Sequence, residues 1–443
     1  MAAVLRDSRY YEGEDFAAHR TAFRRDRDSI LYCNFFRRLA GVTQVVHVAE
    51  GHIFHNRLVH SLKVAQIGRS IVDILIGTAN DQKNKDIIEA VGGVDVDVVE
   101  TACLAHDLGH PPFGHIAESE LDSCARKNGV SDGFEGNPQS FRIVTRVAIH
   151  DQSHPGLNLT SASLNALQKY PWSRGVAGKR NEKWGCYYGD TKLFEFARAR
   201  DMASDRRSAE AEIMDWADDI AYSIHDLDDF YRAGIVPLDR ILAGGTETGS
   251  FLEKMKRDGK LDDIEVASKF IADLRKIASN DLLIPFQGTT AQYRSLRLLE
   301  TFLIQRFLGL TNAGDLRLQP EGASRLHVAA ERRREVKILK GLMQHYVYDA
   351  PSLVAQQYGQ RRLIRQLFDI FLDAAKGEAP AGILPAPFDE RLKDIKDDKD
   401  APMERVRLVM DVIASLTEQQ AVTYFARLTG NSFGFIADRI FGA

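Results

Sequence analysis

His106 and Asp107, adjacent in the run LAHDLGHPPFGH (Leu104–His115), set an imidazole and a carboxylate side by side. Together they offer a divalent metal one nitrogen and one oxygen ligand. His110 and His115 follow within a few residues. A His-Asp pair alone specifies little, since such pairs are common. Its neighbours change that. Upstream, His60 lies in HNRLVHSLKVAQIGRSI, where Leu58, Leu62, Ala65, Ile67 and Ile71 recur at three- and four-residue spacing, the pattern of an amphipathic helix. Downstream, in EAEIMDWADDIAYSIHDLDDF, Asp218, Tyr222 and Asp226 stand at i, i+4 and i+8 and so share one helix face. Two imidazoles and two carboxylates suit a borderline or hard divalent ion such as Mn, Fe, Co, Ni or Mg, whereas structural zinc would draw on cysteine. Four protein ligands leave coordination positions for water and a phosphate oxygen, as a catalytic metal requires.

Helices must position these groups. Apolar residues recur mostly at helical spacing, and alternating runs are scarce. VVETACLAHDLGH reads as a helix carrying His106 and ending near His110, because Pro111 and Pro112 disfavour helix before them and bring no amide donors. PPFG is then a turn, and His115 opens the next helix. His115 and Glu118 are one helical turn apart, so the carboxylate can hold the imidazole in one tautomer. Arg57, one turn before His60, presents a planar guanidinium suited to phosphate oxygens.

The chain resembles the HD-domain deoxynucleotide triphosphohydrolases, the bacterial dGTPase-like family related to the animal dNTPase with an added SAM domain. The resemblance rests on RRDRDSILYCNFFRRLAGVTQVV (Arg24–Val46), NRLVHSLKVAQIGRSI, ACLAHDLGHPPFGHIAE, FEGNPQSFRI, GLNLTSASLNALQKYPW and IMDWADDIAYSIHDLDD, and it covers most of the sequence. It implies an all-α HD-domain fold with additional N- and C-terminal helical segments. It also implies hydrolysis of deoxynucleoside triphosphates to deoxynucleoside and inorganic triphosphate. The implied metal ligands are His60, His106, Asp107 and Asp218; Asp218 rather than Asp219, because the family's last metal aspartate precedes its tyrosine by four positions and an aspartate by eight. His115 with Glu118 would activate water or protonate the leaving group, and His110 would face the α-phosphate or a water. Lys169 and Tyr170 would bind phosphate, beside Arg57 and Tyr222. Gln44 and Asp226 would grip the sugar 3′-hydroxyl. Arg407 resembles a C-terminal arginine that reaches the active site in relatives, although IASLTEQQ departs there from the more typical IAGMTDRY. The resemblance further implies a homo-oligomer, hexameric in kind, and single-stranded DNA as a second partner.

The 443 residues are 44% hydrophobic and 27% charged, ordinary for a globular protein with a large core. A net charge of −4 gives no basic footprint for nucleic acid as the main partner. Cys33, Cys103, Cys124 and Cys186 show no CxxC spacing and read as reduced thiols. No stretch approaches membrane-spanning length and the N-terminus has no apolar leader, so a cytoplasmic protein is expected. Residues 1–56 read as an N-terminal segment contributing to the pocket, 57–226 as the HD phosphohydrolase domain and 227–443 as a C-terminal helical region. The mixed-charge, proline-bearing run Gly377–Pro402 reads as a solvated connector. Trp172 and Phe141 are expected in the core. Two rival functions use the same metal set: hydrolysis of nucleoside monophosphates or cyclic nucleotides, and nucleotide sensing or single-stranded DNA binding without turnover. No motif distinguishes guanine from the other bases.

Overall fold

A computed structural model of the protein describes residues 4–12, 19–44, 54–77, 82–175, 178–201, 204–261, 263–312, 314–348, 351–380 and 382–432. The chain begins with α1 (Ala22–Tyr32), α2 (Asn34–Arg38), α3 (Arg57–Gly77), α4 (Gln82–Ala90), α5 (Val96–Ala105) and α6 (His115–Lys127). It continues with α7 (Gly136–Arg142), α8 (Ser161–Ala166), α9 (Lys179–Glu182), α10 (Thr191–Ala197) and α11 (Ala209–Arg232). Beyond these lie α12 (Leu238–Ala243), α13 (Thr246–Arg257), α14 (Ile264–Ile277) and α15 (Thr290–Phe307). The hairpin β1 (Leu316–Leu318) and β2 (Leu326–Val328) precedes α16 (Ala330–Met343), α17 (Pro351–Lys376), α18 (Ala386–Asp394), α19 (Ala401–Ser415) and α20 (Glu418–Leu428). The fold is all-α, with that one antiparallel hairpin added.

Short polar residues set the starts of the helices that matter most. Asp95 accepts from the amides of Asp97 and Val98 at the head of α5, and Ser208 accepts from Ala211 at the head of α11. Such caps contribute about 1 kcal/mol each. Helices α3, α5 and α11 pack on one another, with α1 against α5 and α16 against α11. α11 buries Ile213, Met214, Trp216, Ala217, Ile220, Ala221 and Ile224, the all-round burial of a helix at the centre of a domain. Gly68 lets α3 approach α5 closely: a Cβ there would stand 2.7 Å from Cys103 Sγ. α17 packs on α6, α19 and α20 and forms a second layer.

α5 ends at Ala105, five residues earlier than the proline signal suggests. Ser140 on α7 takes over the hydrogen bonds that would prolong it. Its Oγ donates to the His106 carbonyl (2.8 Å) and accepts from the Gly109 amide (2.9 Å). The residues from His106 to Gly109 therefore form a turn lying against α7. Gly109 is obligatory at this contact, because a Cβ would stand 2.2 Å from the Gly136 carbonyl oxygen and 2.3 Å from the Ser140 nitrogen. Backbone cannot yield as a flexible side chain can, so Gly109→Ala is expected to destabilise by at least the ~1–3 kcal/mol of core overpacking. Thermal unfolding of the variant checks this.

Gly377–Pro402 is not simply a solvated connector. It contains α18, whose Phe388 is buried together with Leu384, while Lys396, Asp397, Asp398, Lys399 and Asp400 are exposed. The apolar residues were enough to dock a short helix within a charged run. Phe141 is buried and Trp172 half-buried, and all four cysteines are buried free thiols.

Candidate active site

Three elements deliver the His and Asp groups: one ligand atom each of His60, His106 and Asp218 lies within 4.8 Å of the others, and Asp107 adjoins this group beside His106. His60 comes from the first turn of α3, His106 and Asp107 from the turn after α5, and Asp218 from the middle of α11. His60 Nε2 lies 3.0 Å and His106 Nε2 3.7 Å from Asp218 Oδ1, and Asp107 Oδ1 lies 3.4 Å from His106 Nε2. His106 Nδ1 is 2.6 Å from the Cys103 carbonyl, so it carries the proton and turns the Nε2 lone pair toward Asp107 and Asp218. That Nε2 is buried and has no hydrogen-bond partner among the described residues. An orphaned imidazole nitrogen facing carboxylates is costly by itself and natural as a metal ligand. The donor set of two imidazoles and two carboxylates thus fits a divalent cation.

Electrostatics hold these carboxylates ionised. Burial works against the charge of Asp107, but His106, Arg57 and His110 outweigh it and keep the carboxyl well below its usual range. Burial likewise opposes the charge of Asp218, and Lys169, His60 and His106 overcome it. Arg57 donates to Asp107 Oδ2 at 2.7 Å, and both side chains are almost fully buried. Lys169 Nζ sits 3.1 Å from Asp218 and 2.9 Å from Asp215.

Beside this centre, His115 and Glu118 form a second constellation. His115 is 71% exposed at its side chain and opens into the cleft, with Nδ1 2.7 Å from the buried Glu118 Oε2. Glu118 also approaches His110 Nε2 at 3.5 Å. Burial opposes its charge, and His110 and His115 more than compensate, leaving Glu118 well below the usual carboxylate range. Burial and the charge of Arg57 push the His110 imidazole down. The Pro111–Gly114 corner joins the two constellations, with Phe113 at φ 69° and Gly114 at φ 57°.

A cleft of about 670 Å³ is lined by Arg57, His60, His106, Asp107, His110, His115, Lys169 and Asp218, with Glu118 behind His115. Of the residues expected at the substrate, Gln44, Arg57, Lys169, Tyr170 and Tyr222 line it. Asp226 does not lie on its surface and is 2% exposed. Both Asp226 Oδ2 and Gln44 Oε1 are buried without a partner among the described residues. Burial, reinforced by Asp229 and Asp218, pushes the Asp226 carboxyl well above its usual range. Arg407 is not brought to this cleft. Its guanidinium stacks on the Tyr187 ring at 3.7 Å and donates to Asp132 Oδ1 (2.6 Å) and the Gly133 carbonyl (2.9 Å). It lines a separate cavity with Arg142, Asp190 and Asp411. A carboxylate and an aromatic face within reach explain that placement.

Sequence reasoning missed one wall. Lys340 on α16, Gln344 and Tyr348 on the π-helical turn after it, and Gln357 on α17 all line the cleft. Tyr348 and Tyr222 share a hydrogen bond of 2.6 Å, Lys340 pairs with Asp219, and its ammonium stands 5.4 Å from the Tyr222 ring centre. Lys183, paired with Glu135 and 4.0 Å from Glu118, was also missed. No spacing in the sequence joins these residues to the His-Asp dyad.

A cluster of His and Asp side chains that could hold a metal, open to a large cleft in an all-α fold, fits the HD class of phosphohydrolases. Residues 57–223 match the HD domain, and residues 326–427 match the Phosphohydrolase-associated domain. The second of these contains Lys340, Gln344, Tyr348 and Gln357. The chain is similar to a "Deoxyguanosinetriphosphate triphosphohydrolase-like protein" of Streptomyces coelicolor, at 36% identity over 96% of each chain. A protein of the same name from Corynebacterium efficiens is 35% identical over 94% of this chain and 92% of its own. One from Bifidobacterium longum is 31% identical over 91% of this chain and 82% of its own. The chain belongs to the HD-domain deoxyguanosinetriphosphate triphosphohydrolase-like family. Among the described residues no helix is long and apolar enough to cross a membrane.

Proposed function

We propose that the protein hydrolyses deoxynucleoside triphosphates to deoxynucleoside and inorganic triphosphate with a divalent metal of the Mn, Mg, Co, Fe or Ni kind. One observation carries the reading: Arg57, Lys169, Lys183 and Lys340 line the same cleft as the His and Asp ligands. Each is held beforehand by a carboxylate, at Asp107, Asp218, Glu135 and Asp219 respectively, and all of these but Glu135 line the cleft. Cations ordered before the ligand arrives suit a polyphosphate chain better than a single phosphate.

His60, His106, Asp107 and Asp218 would hold the metal, which supplies Lewis-acid polarisation of a phosphoryl oxygen and lowers the pKa of a water when bound. Arg57 and Lys169 lie beside that point and would offset charge growing on the α-phosphate. Water oxygen joins the α-phosphorus as its bond to the 5′-oxygen breaks, and the departing 5′-oxygen needs a proton. His115, oriented by Glu118 through Nδ1, presents Nε2 to the cleft and would deliver it. Triphosphate then leaves intact.

Sugar selection falls to Tyr222, Gln44 and Asp226. The Tyr222 ring, braced by Tyr348, would lie against C2′, while the orphaned Gln44 oxygen would meet the 3′-hydroxyl from the cleft wall; Asp226, beneath that wall, would join it on a shift of its side chain toward the ligand. Ribonucleotides are then expected to fall behind deoxynucleotides in kcat/KM by about 10²-fold. Dideoxynucleotides are expected to bind weakly, since buried polar groups lose their partner. Tyr222→Ala should relax the ribose exclusion. A panel of dNTPs, NTPs and ddNTPs assayed with each metal tests the reading, and equal kcat/KM for dGTP and GTP, and for the other base pairs of substrates, would remove it. The same family resemblance suggests a hexamer and single-stranded DNA binding; sedimentation and a salt-dependent DNA titration test these separately.

A further inference from the structure

The corner between His110 and His115 is gripped from outside by residues with no part in the chemistry described above. Pro111 and Pro112 bring no amides, and the Gly114 amide bonds within the corner to the Pro111 carbonyl. Phe113 is left at φ 69°, a left-handed conformation that a bulky side chain avoids unless surroundings impose it. Its amide donates to Glu418 Oε1 at 3.1 Å. Glu418 opens α20, is 2% exposed, and accepts two further bonds from Thr43: the amide on Oε1 (3.0 Å) and the hydroxyl on Oε2 (2.6 Å). Thr43 precedes Gln44, which lines the cleft. The carbonyls of the same corner are held by Arg38 of α2. Its guanidinium donates to Leu108 (2.9 Å) and His110 (2.7 Å), and also to Leu416 (2.9 Å), two residues before Glu418.

We infer that Glu418, working with Arg38, is a positioning residue that fixes the His110–His115 corner and the Gln44 segment in one register. The first turn of α20, some three hundred positions along the chain, thereby sets where His115 meets the substrate. A charge-assisted acceptor suits the task, since one carboxylate can take three donors where a neutral amide takes fewer. Displacing a catalytic group by about 1 Å costs on the order of 10²-fold in rate.

This inference rests on His115 acting at the substrate, as proposed above, and its test separates the two ideas. Glu418→Gln keeps size and removes the charge and one acceptor oxygen. In the full-length, Mn²⁺-loaded protein, amide hydrogen exchange is read by mass spectrometry in the peptide spanning residues 108–116. Exchange there should quicken at least about tenfold, kcat should fall by about 10- to 100-fold, KM should move less than kcat, and Mn²⁺ content should hold. Gln420→Ala is the control for a merely structural role. Gln420 closes the capping box with Thr417 at the same helix start, so its loss should lower thermal stability while corner exchange and kcat stay as in the unmodified protein. Unchanged exchange at 108–116 in Glu418→Gln, a kcat loss matched by Gln420→Ala, or a loss of Mn²⁺ would each overturn the inference. Should Glu418→Gln not fold, Arg38→Lys is read by the same measurements with the same expectations. If the unmodified protein turns over no deoxynucleotide, the proposed function falls, and exchange alone decides the role of Glu418.

Discussion

Replacing His106 with alanine is expected to abolish both metal binding and turnover while the helical fold persists. Its Nε2 is buried without a hydrogen-bond partner among the described residues, and the loss of Nδ1 takes a side-chain donor only from the Cys103 carbonyl. Asp107 requires more care. Its Oδ2 holds Arg57 in a nearly fully buried pair at 2.7 Å, and an alanine there would leave an uncompensated guanidinium at a cost of about 3–5 kcal/mol. Asp107→Asn keeps the volume and a carbonyl acceptor, and is the variant that separates ligation from folding. In the unmodified protein Mn²⁺ should raise the midpoint of thermal unfolding, since a ligand that binds only the folded state stabilises it. His106→Ala and Asp107→Asn should lose that rise, along with stoichiometric metal. Full metal occupancy in both variants would remove the two residues from the ligand set.

The second large effect belongs to His115. His115→Ala should lower kcat by about 10²- to 10⁴-fold, the usual contribution of a positioned acid-base group, and leave metal content and substrate binding nearly intact. The side chain is exposed to the cleft and makes its one described hydrogen bond through Nδ1 to Glu118, so its loss disturbs little packing. Glu118→Gln should show a smaller defect, because the imidazole would keep a weaker partner. Turnover unchanged in His115→Ala would return this histidine to an ordinary surface role.

Local patterns carried much of this to the reader of the sequence. The His60 helix, the dyad and the Asp218-Tyr222 face are each a matter of spacing within a single element, and both helices formed, while the dyad lies in the turn just past α5. The stop of α5 was misplaced because its cause, Ser140, lies on another helix and leaves no mark near His106. The wall made by Lys340, Gln344, Tyr348 and Gln357 was invisible for the same reason: its residues meet the dyad through the packing of α16 on α11 and of α17 on α6. Arg407 shows the converse. A resemblance in wording placed it at the substrate, whereas Asp132 and Tyr187 hold it in another cavity. Asp226 occupies the helix position that its spacing indicates, yet sits beneath the cleft, because the eighth residue along a helix face meets a different depth of packing from the first.

The most direct measurement is the identity of the phosphorus product. Incubation of dGTP and the other deoxynucleotides with the metal-loaded protein, followed by ³¹P spectroscopy, should show inorganic triphosphate appearing in step with free deoxynucleoside. Orthophosphate or pyrophosphate as the first phosphorus product, with a deoxynucleoside di- or monophosphate beside it, would contradict attack at the α-phosphorus with departure of the 5′-oxygen.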